Sequence, residues 1–260
     1  MKTAKVNLSM LIASLLLIFC LPGIVSADVF LKQVTFTQGY EMMGQKMPDN
    51  YDTASIWANE GNYRFEMSGD VTILANAKDD MLRILNNTDK TYSEILMSAL
   101  GDPTKMLGDA ATDPHNVQQL QMLQGMAQMM KLSVTVKPTD ETKKIGDYNC
   151  KKFNIDINMG MAQISSENWA TEDIKINYDL LQSIFRFNLA IMPGYKEMME
   201  ELNKVKGIIV LSEGTVSTMG NQIKTKTELV ESLVKDAPAG TYDIPKDYTE
   251  IPYKLPSMGQ

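Results

Sequence analysis

Residues 62–96 read NYRFEMSGDVTILANAKDDMLRILNNTDKTYSEIL, and the fold follows from this stretch. Tyr63, Phe65 and Met67 alternate with Asn62, Arg64, Glu66 and Ser68, the period of a strand with one dry face and one wet face. Val71 to Ala77 and Met81 to Asn86 flank Lys78-Asp79-Asp80 as the two arms of a hairpin, and Asn87-Thr88-Asp89 turns the chain into Lys90 to Leu96. Connections this short join antiparallel neighbours, because a parallel pair needs a crossover of a dozen or more residues. The stretch predicts an antiparallel meander.

Outward from it the same pattern recurs. Phe30, Val34 and Phe36 alternate with Leu31, Gln33, Thr35 and Thr37. Strands are expected again at Leu132, Val134 and Val136, through Phe153, Ile155 and Ile157, and over Ala162 to Trp169. Gly207 to Ser217 and Ile223 to Leu233 form a closing hairpin around Met219-Gly220-Asn221. The segment from Pro238, rich in Pro and Tyr, is expected to pack along a sheet edge.

Three helices interrupt the strands. Gly101 to Pro114 reads as loop, after which Asp113 as N-cap and Pro114 at the first helical position open a helix to about Lys131. Val117, Leu120, Leu123, Ala127 and Met130 form one stripe at helical spacing, widened by Met122, Met126 and Met129. Tyr178 to Ile191 reads as a second helix, stopped by Pro193-Gly194, and Tyr195 to Val205 as a third. A long curved antiparallel sheet cannot bury its concave face alone, so the helices must fill or cover it. Incomplete filling leaves a ligand cavity.

The ends and composition bound the function. Lys2 and Lys5, the apolar run Leu8 to Leu21, the break at Pro22-Gly23 and the small residues Val25-Ser26-Ala27 read as a secretory signal peptide over 1–27. Residues 28–252 then form a single domain and 253–260 a tail. The product is expected to be exported and soluble, in the periplasm of a Gram-negative bacterium or secreted. Cys20 lies in the apolar run after Phe19, where a lipidation site wants a small residue, and is expected to be lost on cleavage. Cys150 remains, in a strand-like run, and is expected to be buried. The net charge of −7 argues against nucleic acid and against electrostatic docking on anionic membranes.

A resemblance adds to this reading. Asn62-Tyr63-Arg64-Phe65-Glu66-Met67, the hairpin Val71 to Asn86 and Lys90-Thr91-Tyr92 resemble the early strands of the LolA/LolB-like outer-membrane lipoprotein carriers. Gly146 to Phe153, Trp169 and the run Gly240 to Tyr248 are similar to uncharacterised exported families of the same superfamily. The resemblance implies a curved, open antiparallel β-barrel, α+β in class, with two or three helices filling or lidding its concave face. It implies an apolar cavity for acyl chains, closed by hydrogen bonds from the strand arginine, here Arg64. The chain departs from the carriers in its length, its Met-rich insert and its lack of a lipidation motif.

The expected site is therefore apolar. Arg64 latches the cover, while Met122, Leu123, Met126, Met129 and Met130, with Phe185, Phe187 and Trp169, line the cavity and lid. No catalytic residue, metal ligand set or cofactor motif is read. The one His, His115, is expected on the surface, and no nucleophile elbow, phosphate loop or dinucleotide fingerprint is present. The methionine clusters admit three readings: core packing, an adaptable apolar surface, or a Cu(I) site of thioethers at Met126, Met129 and Met130 or at Met42, Met43 and Met47. The expected partner of a monomeric, non-enzymatic protein is a lipid or acyl chain, with transient membrane contact compatible. The alternatives are Cu(I) handling and a structural envelope protein acting through another protein.

Overall fold

Four asparagines set the turns of a computed structural model that describes residues 27–42, 44–67, 70–114, 116–118, 120–122, 125, 133–160, 162–178, 180–181 and 194–253. The Oδ1 of Asn59, Asn76, Asn86 and Asn158 accepts the backbone N–H two residues on, from Gly61, Lys78, Thr88 and Gly160 at 2.8–3.0 Å. The first three also capture the N–H three residues on, from Asn62, Asp79 and Asp89. A short side-chain amide that mimics a backbone turn is why Asn recurs at strand ends here. Residues 1–26, which hold all but the last residue of the expected signal sequence and include Cys20, lie outside the described residues, as does His115.

The strands are β1 (Val29–Thr37), β2 (Tyr40–Met42), β3 (Gln45–Met47), β4 (Asn50–Ala58), β5 (Asn62–Met67), β6 (Val71–Asn76), β7 (Met81–Asn86), β8 (Thr91–Leu96), β9 (Ser133–Ile145), β10 (Tyr148–Asn158), β11 (Ala162–Thr171), β12 (Ile208–Thr218), β13 (Asn221–Val234) and β14 (Thr249–Glu250). All but β2 and β3 join one 12-stranded sheet in the order β14-β8-β7-β6-β5-β4-β1-β13-β12-β11-β10-β9. The sheet is large, curved and not closed. Every pairing in it is antiparallel except β14 on β8. The meander β5 to β8 stands as the sequence predicts. The hairpin β12–β13 does too, and the C-terminal segment does reach a sheet edge.

Two expectations are corrected, and one strand is new. Gly101 to Pro114 is not a loop. It holds a helix, α1 (Pro103–Leu107), flanked by 3-10 turns, and Asp102 caps it by accepting from Thr104 and Lys105 N–H. Asp102-Pro103 is the same Asp-Pro start signal as Asp113-Pro114. The phase of β1 is also the reverse of the expected one. Leu31 is 0% exposed, whereas Phe30 faces the other way and packs its ring on Trp57 at 4.9 Å. The register shift against β13 between Lys32 and Gln33 takes its extra residue, Val230, from β13, and β1 keeps Leu31, Gln33 and Thr35 on one face. Finally β4 enters the sheet although its first half is polar and largely exposed, and only Ile56 and Ala58 are buried.

Helix α2 (Tyr195–Leu202) lies on one face of the sheet, against β9. Residues 178, 180 and 181 are helical as well, with Asn177 capping them: its Oδ1 accepts from Leu180 N–H at 3.2 Å. On this helix-bearing face the core forms two clusters. One gathers Leu31, Ile56, Tyr63, Ile73, Leu82, Leu181 and Ile208, and the other Val134, Val136, Phe153, Ile155 and Met198. Just before β12, Gly207 (φ +96°) lets two segments of backbone touch, since a Cβ there would sit 2.0 Å from Thr171 O.

The opposite face is crossed by residues 235–253. Asp28 Oδ2 accepts from Ala237 N–H at 2.8 Å and its Oδ1 from the Tyr242 hydroxyl at 2.7 Å. Further on, the Tyr248 hydroxyl donates to Asn87 Oδ1, Lys90 pairs with Asp247, and Ile251 N–H donates to Tyr92 O. This strap explains why β6 reads as a continuous apolar run. Thr72 and Leu74 are buried on the strap side and Ile73 and Ala75 on the helix side, so neither face of the strand is wet.

Candidate functional site

Between the two core clusters lies an apolar cleft of about 330 Å³. Its floor is the sheet: Gln33 of β1, Ile56 of β4, Ile155 of β10, Asn168 of β11, Ile208, Ile209 and Ser212 of β12, and Thr227 of β13. Its cover is Tyr178 and Leu181 on one side, and on the other Met199 and Leu202 of α2 with Asn203 and Val205 just after it. Cross-strand register brings the floor together. Asn168 stands opposite Ser212, Ser212 opposite Thr227 and Thr227 opposite Thr35, a row of small polar side chains on a face otherwise filled by Ile and Leu.

These polar groups are mostly satisfied within the protein. Gln33 Nε2 donates to Ile209 O at 3.0 Å, and the Thr35 and Thr227 hydroxyls share a bond of 2.9 Å. Asn168, 3% exposed, donates to Ser166 Oγ at 2.9 Å. Burial, then the Glu172 charge, raises the Tyr178 hydroxyl above its ordinary range, and that hydroxyl donates to Ile174 O at 3.1 Å. One group differs. Asn203, at the turn after α2, keeps a buried Oδ1 with no hydrogen-bond partner. Among the described residues no Asp, Glu, Lys, Arg or His lines the cleft.

The sequence-predicted residues fall elsewhere. Leu123, Met126, Met129, Met130, Phe185 and Phe187 lie outside the described residues. Met122 is 55% exposed. On the same helical stretch Leu120 packs against Leu107 of α1, with Tyr253 beside them. The described part of the Met/Gln segment therefore covers α1, and among the described residues the cover of the cleft comes from Tyr178, Leu181, α2 and the turn after it. Arg64 is placed on the strap side, because Tyr63 and Phe65 take the helix side of β5. It pairs with Glu66 and donates from Nη1 to Thr241 O at 2.8 Å, so what it latches is the C-terminal strap.

Trp169 also faces away from the cleft, since its neighbour Asn168 points in. It packs with Cys150 and Val210, under Lys143 Nζ at 4.4 Å from the ring centre. Cys150 is buried there as expected, and burial, then the Asp173 charge, pushes its thiol up. A broad groove on this side, lined by Lys137, Asp156, Glu167, Glu213 and Lys226, mixes both signs of charge.

Among the described residues no group of three or more His, Cys, Asp or Glu could hold a metal ion, and no helix is long and apolar enough to cross a membrane. No protein-family model matches the chain, and no curated protein is significantly similar to it. What sequence reasoning missed is Gln33, Asn168, Asn203 and Thr227. In sequence Gln33, Asn168 and Thr227 carry no sign of a cleft, and only their strand register puts them beneath helices, while Asn203 enters from the turn after α2.

Proposed function

We propose that this protein binds a single acyl chain or a similar apolar ligand in the cleft between its sheet and α2, and acts by binding rather than by catalysis. The observation that carries this reading is the cleft itself: it separates two apolar clusters of one core, and its walls are Ile, Leu, Val and Met with a few neutral polar groups. Such lining suits a hydrocarbon chain and offers little to a charged one. The flexible Met199 thioether in the cover suits chains of differing shape. We read the curved sheet with its covering helices as an open half-barrel, in line with the resemblance to the lipoprotein carriers, and the chain as an exported one. Contact with a membrane would then be transient, at loading or release.

Native mass spectrometry of the purified protein, followed by solvent extraction, tests the proposal. Lipid or fatty acyl species should accompany the protein and vanish in Ile209→Trp, which fills the cleft. A protein that is always empty, and that takes up no acyl probe, would remove this function.

A further inference from the structure

We infer that one end of the sheet, where three tight turns meet, is the surface by which this protein rests on an uncharged lipid bilayer. The inference deepens the reading of the cleft as an acyl site. It rests on that reading for the choice of a bilayer as occupant, and it names where the bilayer is met.

Strand register assembles this end. Ala162 stands opposite Thr218, and Thr218 opposite Asn221, which sets the turns β10–β11 and β12–β13 side by side. The hairpin β2–β3 joins them, because Asn221 Nδ2 donates to Glu41 O at 3.0 Å. In sequence each turn holds a Met-Gly pair, at Met43-Gly44, Met159-Gly160 and Met219-Gly220. All three glycines are left-handed, and Met47, Met159 and Met219 are exposed on these hairpins. Met219 is itself left-handed, a cost that no burial of its side chain offsets. Strain kept at an exposed tip points to a use for that side chain outside the molecule.

Charge is zoned behind the turns. Residues 157–166 and 214–223 carry no Asp, Glu, Lys, Arg or His, in a chain 22% of which is charged. On β10 to β13 the charges nearest the turns are Asp156 and Lys224, a few residues behind the last paired positions, Asn158 and Asn221. At the rise of a strand this leaves an uncharged cap about 7–10 Å deep. Amphipathic surfaces sink about 5–10 Å into the boundary between headgroups and acyl chains, so the cap matches that layer and the charges stay in water. The β2–β3 hairpin adds one charge of each sign, Glu41 opposite Lys46. The net charge of −7 repels an anionic surface, which leaves zwitterionic lipid as the match. Apolar side chains on separate turns suit a fluid bilayer that closes around each one, whereas a protein partner needs one continuous patch.

The cleft face leads to this end. Val134, Ile157, Ile164, Val216 and Ile223 stand opposite one another across five strands. This apolar row lies between the turns and the row Asn168, Ser212 and Thr227 of the cleft floor.

The test is flotation of the purified protein with phosphatidylcholine vesicles. The protein should float with them at low and high salt alike, and added phosphatidylglycerol should not tighten binding. In the combined variant Met47→Gln, Met159→Gln and Met219→Asn, checked for folding by circular dichroism, the bound fraction should fall at least tenfold while acyl probes still bind from solution. Peroxide oxidation read by mass spectrometry gives the footprint. Vesicles should protect Met47, Met159 and Met219 but not Met67, which is also exposed yet stands about 25 Å behind them by strand register.

Equal flotation of wild type and the combined variant, or equal protection of Met67, would overturn the docking surface. Self-association of the wild type that the variant loses, without flotation, would assign this end to a second copy of the chain and overturn it as well. Ile209→Trp, which fills the cleft, should float as the wild type does. Loss of acyl binding with flotation intact therefore strikes the proposed function alone, and loss of flotation with acyl binding intact strikes this inference alone.

Discussion

Met219 opens the tight turn between β12 and β13 at φ +47°, followed by Gly220 at φ +83°, and it is 57% exposed. Two consecutive left-handed residues make the turn type that matches the twist of a hairpin, and Asn-Gly is its favoured sequence. A methionine there has the steric cost of the left-handed region without burying its side chain. Met219→Asn should therefore stabilise the fold by about 1 kcal/mol, read as a higher urea midpoint with an unchanged slope; a lower midpoint would mean that the thioether has contacts that matter. Asp80 and Lys90 hold left-handed conformations too, but each is engaged: Asp80 accepts from Ser98 N–H and Lys90 pairs with Asp247. Sequence alone marks Met219-Gly220 as a turn. It does not show that the first position is the wrong residue for stability, because that depends on the hand of the turn.

At the scale of elements, β9 is an outer strand of the sheet and 13 residues long, a natural place for another chain to pair. Three features blunt it. Val136 N–H, which points away from β10, donates to Glu201 Oε2 of α2 at 2.8 Å. By the alternation of an antiparallel ladder the next outward amide belongs to residue 138, and Pro138 has none. Lys143 and Lys144 follow. Lys204 and this Val136 amide hold the Glu201 carboxyl below its usual range. The double change Pro138→Val with Glu201→Ala should free the edge and produce self-association, measured by sedimentation velocity; a protein that stays monomeric would show that the edge is guarded otherwise. The strands themselves were legible in sequence wherever alternation and Asn turns coincide, as in β6 to β8. β4 was not, because its polar half resembles loop. Helix α1 carried a readable Asp-Pro start in a segment whose Gly, Asp and Thr content resembles loop, and its support comes from Ile95 and Ala99 packing on Met106.

At the scale of the molecule, Asp28 ties the start of β1 to the end of the chain. Burial pushes its carboxyl up, but bonds from Ala237 N–H, the Tyr242 hydroxyl and the Asn59 amide outweigh this and hold it below the ordinary range. A carboxyl depressed in the folded state adds stability above its unfolded value, near 4, and loses that contribution as the pH falls through the folded value. The gap in urea midpoint between wild type and Asp28→Asn should thus be widest at pH 7 and shrink toward pH 3; a constant gap would assign the clasp to shape rather than charge. The sequence pointed to a tail that seeks an edge. It held no sign that β1 pairs with β13 about 200 residues away, since nothing local specifies a partner that distant. The cleft was illegible for the same reason: its floor draws on β1, β4, β10, β11, β12 and β13. That central place of β1, between β4 and β13, sets an order in time. β1 must wait about 200 residues for β13, so the two halves of the sheet join late and slowly. A nascent chain that stops before residue 221 lacks β13, the strand that joins β1 to β12, so the residues of the cleft floor stand on two unjoined halves of the sheet.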